Sequence, residues 1–282
     1  MYDLTARVEE ARKYFDRLLD ERLDKIAELS GVDRKFLIKI NPADFVEKTR
    51  YCFIKGYQYK NIKDFILENK TDETFLISPR DAVEETAEQI RYKAGDAVKR
   101  KIRASKCEVI PVPRETALDF CIRNHRQSLP HVGKYAVYMG LVFEGELVAL
   151  MGYDVQNGAV RGGKRNYELL RLAICRDTQV FGGASKLQKA CEDVLVELGE
   201  EKIFSYSNAT INSGSVYQKL GFEKKEITSG AAMVLELNNN IHYLCNLKFP
   251  YSTDKSLAAR GQLKVHITGN VLWEKRIGKE DR

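Results

Sequence analysis

Apolar residues recur at helical spacing near the start of the chain, with charged residues between them. This spacing predicts an amphipathic helix over residues 5–29. Shorter patterns of the same kind follow around 34–56, 60–69 and 80–104, and no convincing strand pattern precedes residue 107. The first 106 residues are therefore expected to form an all-helical domain. The inward positions expected of the first helix are Val8, Ala11, Tyr14, Phe15, Leu18, Leu19, Leu23, Ile26 and Leu29.

The pattern changes after Pro111 and Pro113, which indicate a domain boundary near residues 104–114. From there, apolar runs of strand length alternate with helical stretches, an order typical of α/β or α+β domains. We therefore predict a mixed central sheet flanked by helices over residues 107–282. The expected elements are a hairpin over 135–153 with a tight Glu144-Gly145 turn, a buried strand over 166–177, a helix over 184–198, a strand over 202–210 and a short helix beginning in SGSVYQKLGF at 213–222.

The composition is that of an ordinary soluble protein, with 282 residues, 44% hydrophobic, 30% charged and a net charge of +6. A mildly basic balance permits nucleic-acid binding without requiring it. The six cysteines are scattered and form no C-x-x-C pair, which favours reduced buried thiols in the cytoplasm over disulfides or a zinc site. The four histidines lack metal-ligand spacing, so no metal centre is expected. The charged N-terminal residues and the carboxylates within the longest apolar stretch predict neither a signal peptide nor a membrane span.

The segment QVFGGASK at residues 179–186 places two glycines between an apolar run and a strongly helical stretch. A helix that begins near Ala184 leaves backbone N–H groups free at its positive end. Gly182 and Gly183 remove side chains that would block an anion there, and Ser185 adds a hydroxyl. The segment is equally consistent with a turn whose glycines only allow helix and strand to pack closely.

A wider pattern separates these alternatives. Gln179-x-x-Gly182-x-Ala184 resembles the pyrophosphate signature Q/R-x-x-G-x-G/A of the GNAT superfamily of N-acetyltransferases, which lies between the fourth strand and the following helix. After one more strand, SVYQKLGFEK at 215–224 resembles the Y-x-K-x-G-F segment of that superfamily. The resemblance covers roughly residues 108–237 and implies a GNAT-like fold that uses acetyl-CoA or a related acyl-CoA.

Within the superfamily, the chain resembles a branch found in phage genomes, which includes domains attached to homing-endonuclease-like proteins. The Mom type of DNA-modification protein is a more distant relative of that branch. The shared features are a histidine before the hairpin, a YELLR strand, GGASKL and a strand leading to Y-x-K-L-G-F. HITGNVLWEK at 266–275 also resembles the ending of those proteins. By analogy, this resemblance implies a phage-encoded enzyme of the host cytoplasm that modifies DNA bases.

The superfamily resemblance implies roles for particular residues. Tyr217 is the expected general acid, because a phenol stays protonated at neutral pH yet can donate a proton to a departing thiolate. The alternative is a tyrosine that packs the short helix against the sheet. The strand at 170–174 would present backbone groups to the pantetheine arm. The residues expected to bind the acyl-CoA are Leu172, Ala173, Ile174, Gln179, Phe181, Gly182, Gly183, Ala184, Ser185 and Asn212, the last of which is better explained as a helix cap.

An attacking amine must lose a proton, and His125 and Glu168 are the candidate bases. His125 corresponds to the histidine shared with the phage branch, and the alternative is a surface histidine between arginines. Glu168 begins the buried strand, where a carboxylate is costly without a function or a partner such as Arg165 or Arg171. Asn208 stands where the phage branch often carries an acid, and it cannot act as a base. Either the base lies elsewhere, or the acceptor arrives neutral, as an exocyclic base amine does.

Basic residues over 88–106 and in RGGKR at 161–165 are predicted to contact DNA phosphates, although lysine-rich helix ends are often merely solvated. The favoured hypothesis is an acyltransferase acting on DNA. The alternatives are an acetyltransferase for a protein lysine or small amine, with the helical domain used for docking or homodimerisation, and a non-catalytic nucleic-acid-binding accessory. The predicted nucleic-acid-binding residues are Lys99, Arg100, Lys101, Arg103, Arg161, Lys164 and Arg165.

Overall fold

A computed structural model describes residues 2–50, 52–96, 98–125, 136–155, 167–210, 214–230, 232–236, 238–243 and 253–278. The chain divides into two compact units, and both are assembled from segments that are distant in sequence. The first unit contains Met1–Arg91, Asn208–Ser213 and Ile227–Val271. The second contains Tyr92–Ser207, Gly214–Glu226 and Leu272–Arg282.

The α-helices are α1 (Thr5–Ser30), α2 (Ile62–Asn69), α3 (Val83–Ala94), α4 (Arg114–Asn124), α5 (Gly183–Glu197), α6 (Ser215–Lys219) and α7 (Asp254–Ala259). The strands are β1 (Tyr2–Asp3), β2 (Leu37–Lys39), β3 (Cys52–Phe53), β4 (Phe75–Ile77), β5 (Arg100–Arg103), β6 (Glu108–Pro111), β7 (Val137–Phe143), β8 (Glu146–Val155), β9 (Tyr167–Ile174), β10 (Thr178–Phe181), β11 (Lys202–Asn208), β12 (Glu223–Thr228), β13 (Met233–Leu235), β14 (Ile241–Tyr243), β15 (Leu263–Val265) and β16 (Asn270–Arg276).

The first unit is organised around α1, which confirms the amphipathic helix predicted from the apolar spacing. Phe15, Leu19 and Leu23 are buried on its inner face, and the left-handed Gly31 ends the helix. Tyr14 and Leu29 lie outside this face, at 39% and 41% exposure. Short strands complete the unit: β2 pairs with β4 in parallel, and β13 lies between β14 and β15 in an antiparallel sheet.

The expectation of an all-helical first 106 residues is wrong. Strands β2 and β4 have three residues each, too few to show an alternating pattern in the sequence. The helix expected over 80–104 ends at Ala94, where Gly95 adopts a left-handed φ of 87°. The basic residues Arg100, Lys101 and Arg103 belong to strand β5, since that segment pairs with β10.

The second unit contains the predicted mixed sheet, with strand order β12-β16-β11-β9-β8-β7-β6. The predicted hairpin is confirmed: β7 and β8 are antiparallel, and Glu144 and Gly145 both have positive φ in the turn. β9 pairs antiparallel with β8 and parallel with β11. Helix α5 contributes Leu187 and Cys191 to the core, and Gln188 accepts a 2.7 Å hydrogen bond from the Tyr153 hydroxyl of β8.

No helix in the described part of the chain is long and apolar enough to cross a membrane. Within the same residues, no group of three His, Cys, Asp or Glu side chains could hold a metal ion. Cys107, Cys121, Cys175 and Cys191 are free thiols. Burial raises the pKa of each of these four, so they remain protonated at neutral pH.

Candidate active site

The glycine corner lies between β10 and α5 in the second unit. Gly182 is the N-cap residue with a left-handed φ of 73°, and its carbonyl accepts a bond from the Lys186 N–H at 3.0 Å. The N–H groups of Gly183, Ala184 and Ser185 come before the first intrahelical bond. Among the described residues no side chain caps this end, and the first turn contains no acid. The corner therefore has the electrostatics of an anion site.

The two glycines serve different purposes. Gly182 is exposed and needs its left-handed backbone, which other residues rarely adopt. Gly183 is buried, and a Cβ there would lie 2.9 Å from Val180 Cγ1 and 3.3 Å from Leu141 Cδ1. Close packing therefore explains Gly183. Gly182 and the exposed Ser185 remain on the open side of the corner.

Strands β9 and β11 separate along their length. Their described pairs are Ile203 with Tyr167 and Phe204 with Glu168, at the start of both strands. Beyond these pairs, the Ser205 hydroxyl donates to the Leu169 carbonyl at 2.8 Å in place of a backbone partner. The edge of β9 that follows, residues 170–174, lies between this point and the glycine corner. An extended ligand could hydrogen bond to that edge as a strand does.

Tyr217 of α6 lies where the strands separate. Its hydroxyl oxygen is 3.3 Å from Ser205 Oγ and 3.4 Å from the Tyr206 carbonyl oxygen. Its ring stacks on Trp273 of β16, with centroids 5.3 Å apart and planes at 10°. The indole is itself fixed, because its Nε1 donates to Ser207 Oγ at 2.9 Å. The predicted acid is thus held by groups on two strands.

The surroundings of Tyr217 favour its protonated form. Burial raises the pKa of Tyr217, and the nearby Glu168 carboxylate raises that pKa further. The hydrogen bond between Ser205 and Tyr217 and the charge of Arg171 act in the opposite direction, and the net shift is upward. Burial also lowers the pKa of Arg171, which remains charged at any ordinary pH. Tyr217 therefore carries its proton at neutral pH and has Glu168 and Arg171 as electrostatic neighbours.

Glu168 is 8% exposed and is the cross-strand neighbour of Asp154 of β8, which is 5% exposed. The candidate base Glu168 therefore lies almost buried, beside a second carboxylate on the neighbouring strand.

His125 lies apart from these groups. It is the C-cap residue of α4, and the preceding Asn124 accepts a bond from the backbone N–H of Arg176, just past the end of β9. Glu168 is at the opposite end of β9, and the six residues up to Ile174 extend for about 20 Å. The structure therefore brings Glu168 and Tyr217 together and leaves His125 near the far end of the strand.

The other predicted acyl-CoA residues lie along the path between the two ends. Leu172, Ala173 and Ile174 are on β9, and Gln179 and Phe181 are on β10. Lys99 immediately precedes β5, and Arg100, Lys101 and Arg103 are within that strand, where a helix had been expected. Asn212, Arg161, Lys164 and Arg165 lie outside the described residues.

Sequence reasoning missed four residues of this site: Ser205, Ser207, Asp154 and Trp273. The two serines are inward positions of β11, at 0% and 4% exposure, so buried hydroxyls in an apolar strand were an available signal. Asp154 is the penultimate residue of the second hairpin strand, and only the strand register shows that it lies beside Glu168. Trp273 is the only tryptophan of the chain.

Comparisons with known proteins give one family match, and it lies mainly in the second unit. Residues 103–222 match the family model described as the acetyltransferase (GNAT) family, which is less than half of the chain. This segment is therefore similar to the GNAT acetyltransferases. No curated protein matches the sequence significantly.

Solved structures give weaker likenesses. The ribosomal-protein-S18-alanine N-acetyltransferase of Escherichia coli is 15% identical with a TM-score of 0.40, over 61% of this chain and 94% of that one. A Bacillus subtilis acetyltransferase in complex with CoA is 13% identical with a TM-score of 0.40, over 61% and 99%. The IAA acetyltransferase of Bacillus cereus is 12% identical with a TM-score of 0.39, over the same shares. At these scores the likenesses do not extend the assignment beyond the matched segment.

Proposed function

We propose that the second unit is an acyl-CoA-dependent N-acyltransferase. In this proposal the acyl-CoA binds near one end of β9, and proton transfer takes place near the other. One combination of features carries this proposal. The second unit has both an uncapped helix start at Gly182 and a protonated Tyr217 at the point where β9 and β11 separate. The match of residues 103–222 to the GNAT family model supports it. The chain's residues fit acyl-CoA, because an uncapped corner suits a pyrophosphate and the β9 edge beyond its described pairs with β11 suits the pantetheine amides.

In this proposal each group has one task. The N–H groups of Gly183, Ala184 and Ser185 bind the pyrophosphate, and the backbone of residues 170–174 orients the arm. Bound acyl-CoA supplies an acyl thioester. Glu168 accepts a proton from the attacking amine, directly or through one water, and the Tyr217 hydroxyl donates its proton to the departing thiolate sulfur. The amine gains the acyl group, CoA leaves as a thiol, and the two proton transfers balance.

For the acceptor, we propose an amine on a DNA base, as in a phage-encoded enzyme of the Mom type acting in the host cytoplasm. The net charge of +6 supports this choice. A second support is Tyr206, which is 43% exposed and whose carbonyl lies beside the Tyr217 hydroxyl. Its ring lies edge-on to the ring of Phe204, with centroids 5.9 Å apart. Exposed aromatic rings stack on bases without sequence preference.

The corner is tested by calorimetric titration of acetyl-CoA into wild type, Ser185→Asp and Ser185→Asn. A carboxylate in the first turn interacts favourably with the positive end of the helix dipole, so Ser185→Asp should keep or raise the melting temperature. The same carboxylate repels a pyrophosphate, so affinity should fall about tenfold or more, while Ser185→Asn should bind nearly as wild type does. Equal affinity in Ser185→Asp, or no binding by wild type, would contradict the proposal.

The acceptor is tested by thiol release from acetyl-CoA with a single-stranded oligonucleotide, a duplex, a lysine peptide and a polyamine. The proposal expects release with DNA that weakens steeply as salt rises, since phosphate contacts release counterions. Release with the peptide or the polyamine alone would replace the DNA acceptor with a cationic amine. It would leave the acyltransferase itself intact.

A further inference from the structure

Strand β5 extends the site beyond the glycine corner. It runs parallel to β10, with Lys101 opposite Gln179 and Arg103 opposite Phe181. Phe181 immediately precedes Gly182, and a Cβ on Gly182 would lie 3.8 Å from the Cβ of Ala104, the residue after Arg103. The two strands therefore form a ribbon, defined as β5 with β10, that ends at the corner.

The ribbon has a buried face and an open face. Ile102 and Val180 are 3% and 6% exposed, so they form the buried side. Side chains alternate along a strand, and cross-strand neighbours share a face. Lys101, Arg103 and the 49% exposed Phe181 are therefore on the open side, together with Gln179.

The basic residues of this region differ in their partners. Arg100 pairs with Glu146 at 2.5 Å and lies over the Phe143 ring, and Lys99 lies 3.8 Å from Asp177. Lys101 and Arg103 form no ion pair with any residue that the structure describes. Two cations without carboxylate partners, beside an exposed ring and one residue from an anion corner, suit a ligand with a second anionic group and an aromatic base.

We infer that Lys101 and Arg103 bind the 3′-phosphate of coenzyme A, with Phe181 contacting its adenine. This inference rests on the proposed function, since it places the adenosine end next to the pyrophosphate at Gly182. A phosphate monoester carries nearly two charges at neutral pH, so two cations match it better than they match a single phosphodiester of nucleic acid. The ribbon thus selects coenzyme A over the same molecule without its 3′-phosphate.

The test compares the affinities of CoA and 3′-dephospho-CoA, measured by calorimetry, in three proteins. These are the wild type, Lys101→Ala/Arg103→Ala, and the control Lys106→Ala/Lys224→Ala, which removes the same charge from two exposed lysines outside the ribbon. Wild type should bind CoA at least about tenfold more tightly than dephospho-CoA. Lys101→Ala/Arg103→Ala should bind both as wild type binds dephospho-CoA, and the control should keep the preference.

If wild type binds CoA and 3′-dephospho-CoA equally, the inference is wrong while the proposed function stands. This comparison uses the wild-type protein alone. A preference that persists in a folded Lys101→Ala/Arg103→Ala variant also overturns it. If that variant keeps the preference but loses oligonucleotide binding, the ribbon serves nucleic acid instead. No binding of either ligand overturns the proposed function together with the inference.

Discussion

The ring of Tyr217 lies face to face with the indole of Trp273, with centroids 5.3 Å apart and planes at 10°. The two residues are 56 positions apart in sequence and belong to different elements, α6 and β16. The indole is buried and hydrogen bonded to Ser207, so it acts as a fixed platform for the phenol. The direction of the Tyr217 hydroxyl therefore depends on a residue that lies in neither the pyrophosphate signature nor the Y-x-K-x-G-F segment.

Replacing the platform should reduce turnover without affecting donor binding. Trp273→Phe removes the bond to Ser207 and part of the stacking surface, so we expect a loss of about 1–3 kcal/mol of stability and a fall in kcat. The affinity for acetyl-CoA should change little, because the glycine corner is untouched. Phe120→Leu, buried at 3% exposure in α4, is the matched control that should lose stability but keep kcat. Equal kcat losses in the two variants would contradict this role.

Gly214→Ala should be among the most damaging small substitutions in the second unit. A Cβ at this residue would lie 2.1 Å from Trp273 Cζ2, and the backbone has a φ of 77°. The left-handed backbone costs about 1–2 kcal/mol, and the overlap adds about 1–3 kcal/mol more. Gly199→Ala has a similar φ of 85° and no neighbour within 4 Å, so it should lose only the backbone contribution. Urea unfolding of both variants measures the difference, and equal losses would contradict the overlap.

Tyr217→Phe should reduce kcat by about 10²- to 10⁴-fold, the usual contribution of a general acid. The ring and its stacking remain, so the melting temperature and the acetyl-CoA affinity should stay close to wild type. Because the pKa of Tyr217 is raised, the wild-type rate should decline only above the ordinary tyrosine range, when the proton is lost. The variant should lack that alkaline decline. A rate within a few fold of wild type would leave Tyr217 with a packing role only.

Alkaline pH should destabilise the fold through Cys121. Burial raises the pKa of this thiol from 9.0 to about 11. Above about pH 9 the unfolded chain loses this proton while the folded chain keeps it, so the free energy of unfolding falls until about pH 11. Cys121→Ala should show a shallower decline in denaturant titrations between about pH 8 and about pH 10.5. Leu118→Ala, in the same core cluster, should keep the wild-type slope. Parallel slopes in the wild type and Cys121→Ala would contradict the assignment.

The elements with strong local signals were predictable from the sequence. Helix α1 has five turns of regular apolar spacing in its buried face, and the Glu144-Gly145 turn fixes the hairpin register. The glycine corner was predictable because its conformation depends on two glycines, which a short motif can reveal. Strands β2, β4 and β5 were missed, because three or four residues do not display a period.

The parts that were not predictable depend on long-range pairing. Nothing in the residues near Trp273 indicates that β16 lies between β12 and β11, which is what carries the indole beneath Tyr217. Likewise, the pairing of β5 with β10 determines the face of the strand on which each basic residue of 100–103 lies. Local charge alone indicated a helix end, and only the register distinguishes Lys101 and Arg103 from Arg100.

The insertion of β16 between β12 and β11 has a consequence for synthesis. After Tyr217 is added to the nascent chain, the ribosome must add another 56 residues to reach Trp273. At about 5–20 residues per second this interval lasts some seconds, during which β11 and β12 cannot become neighbours of β16. A nascent chain would therefore hold the glycine corner before it holds a working acid, and it would gain donor binding earlier than turnover.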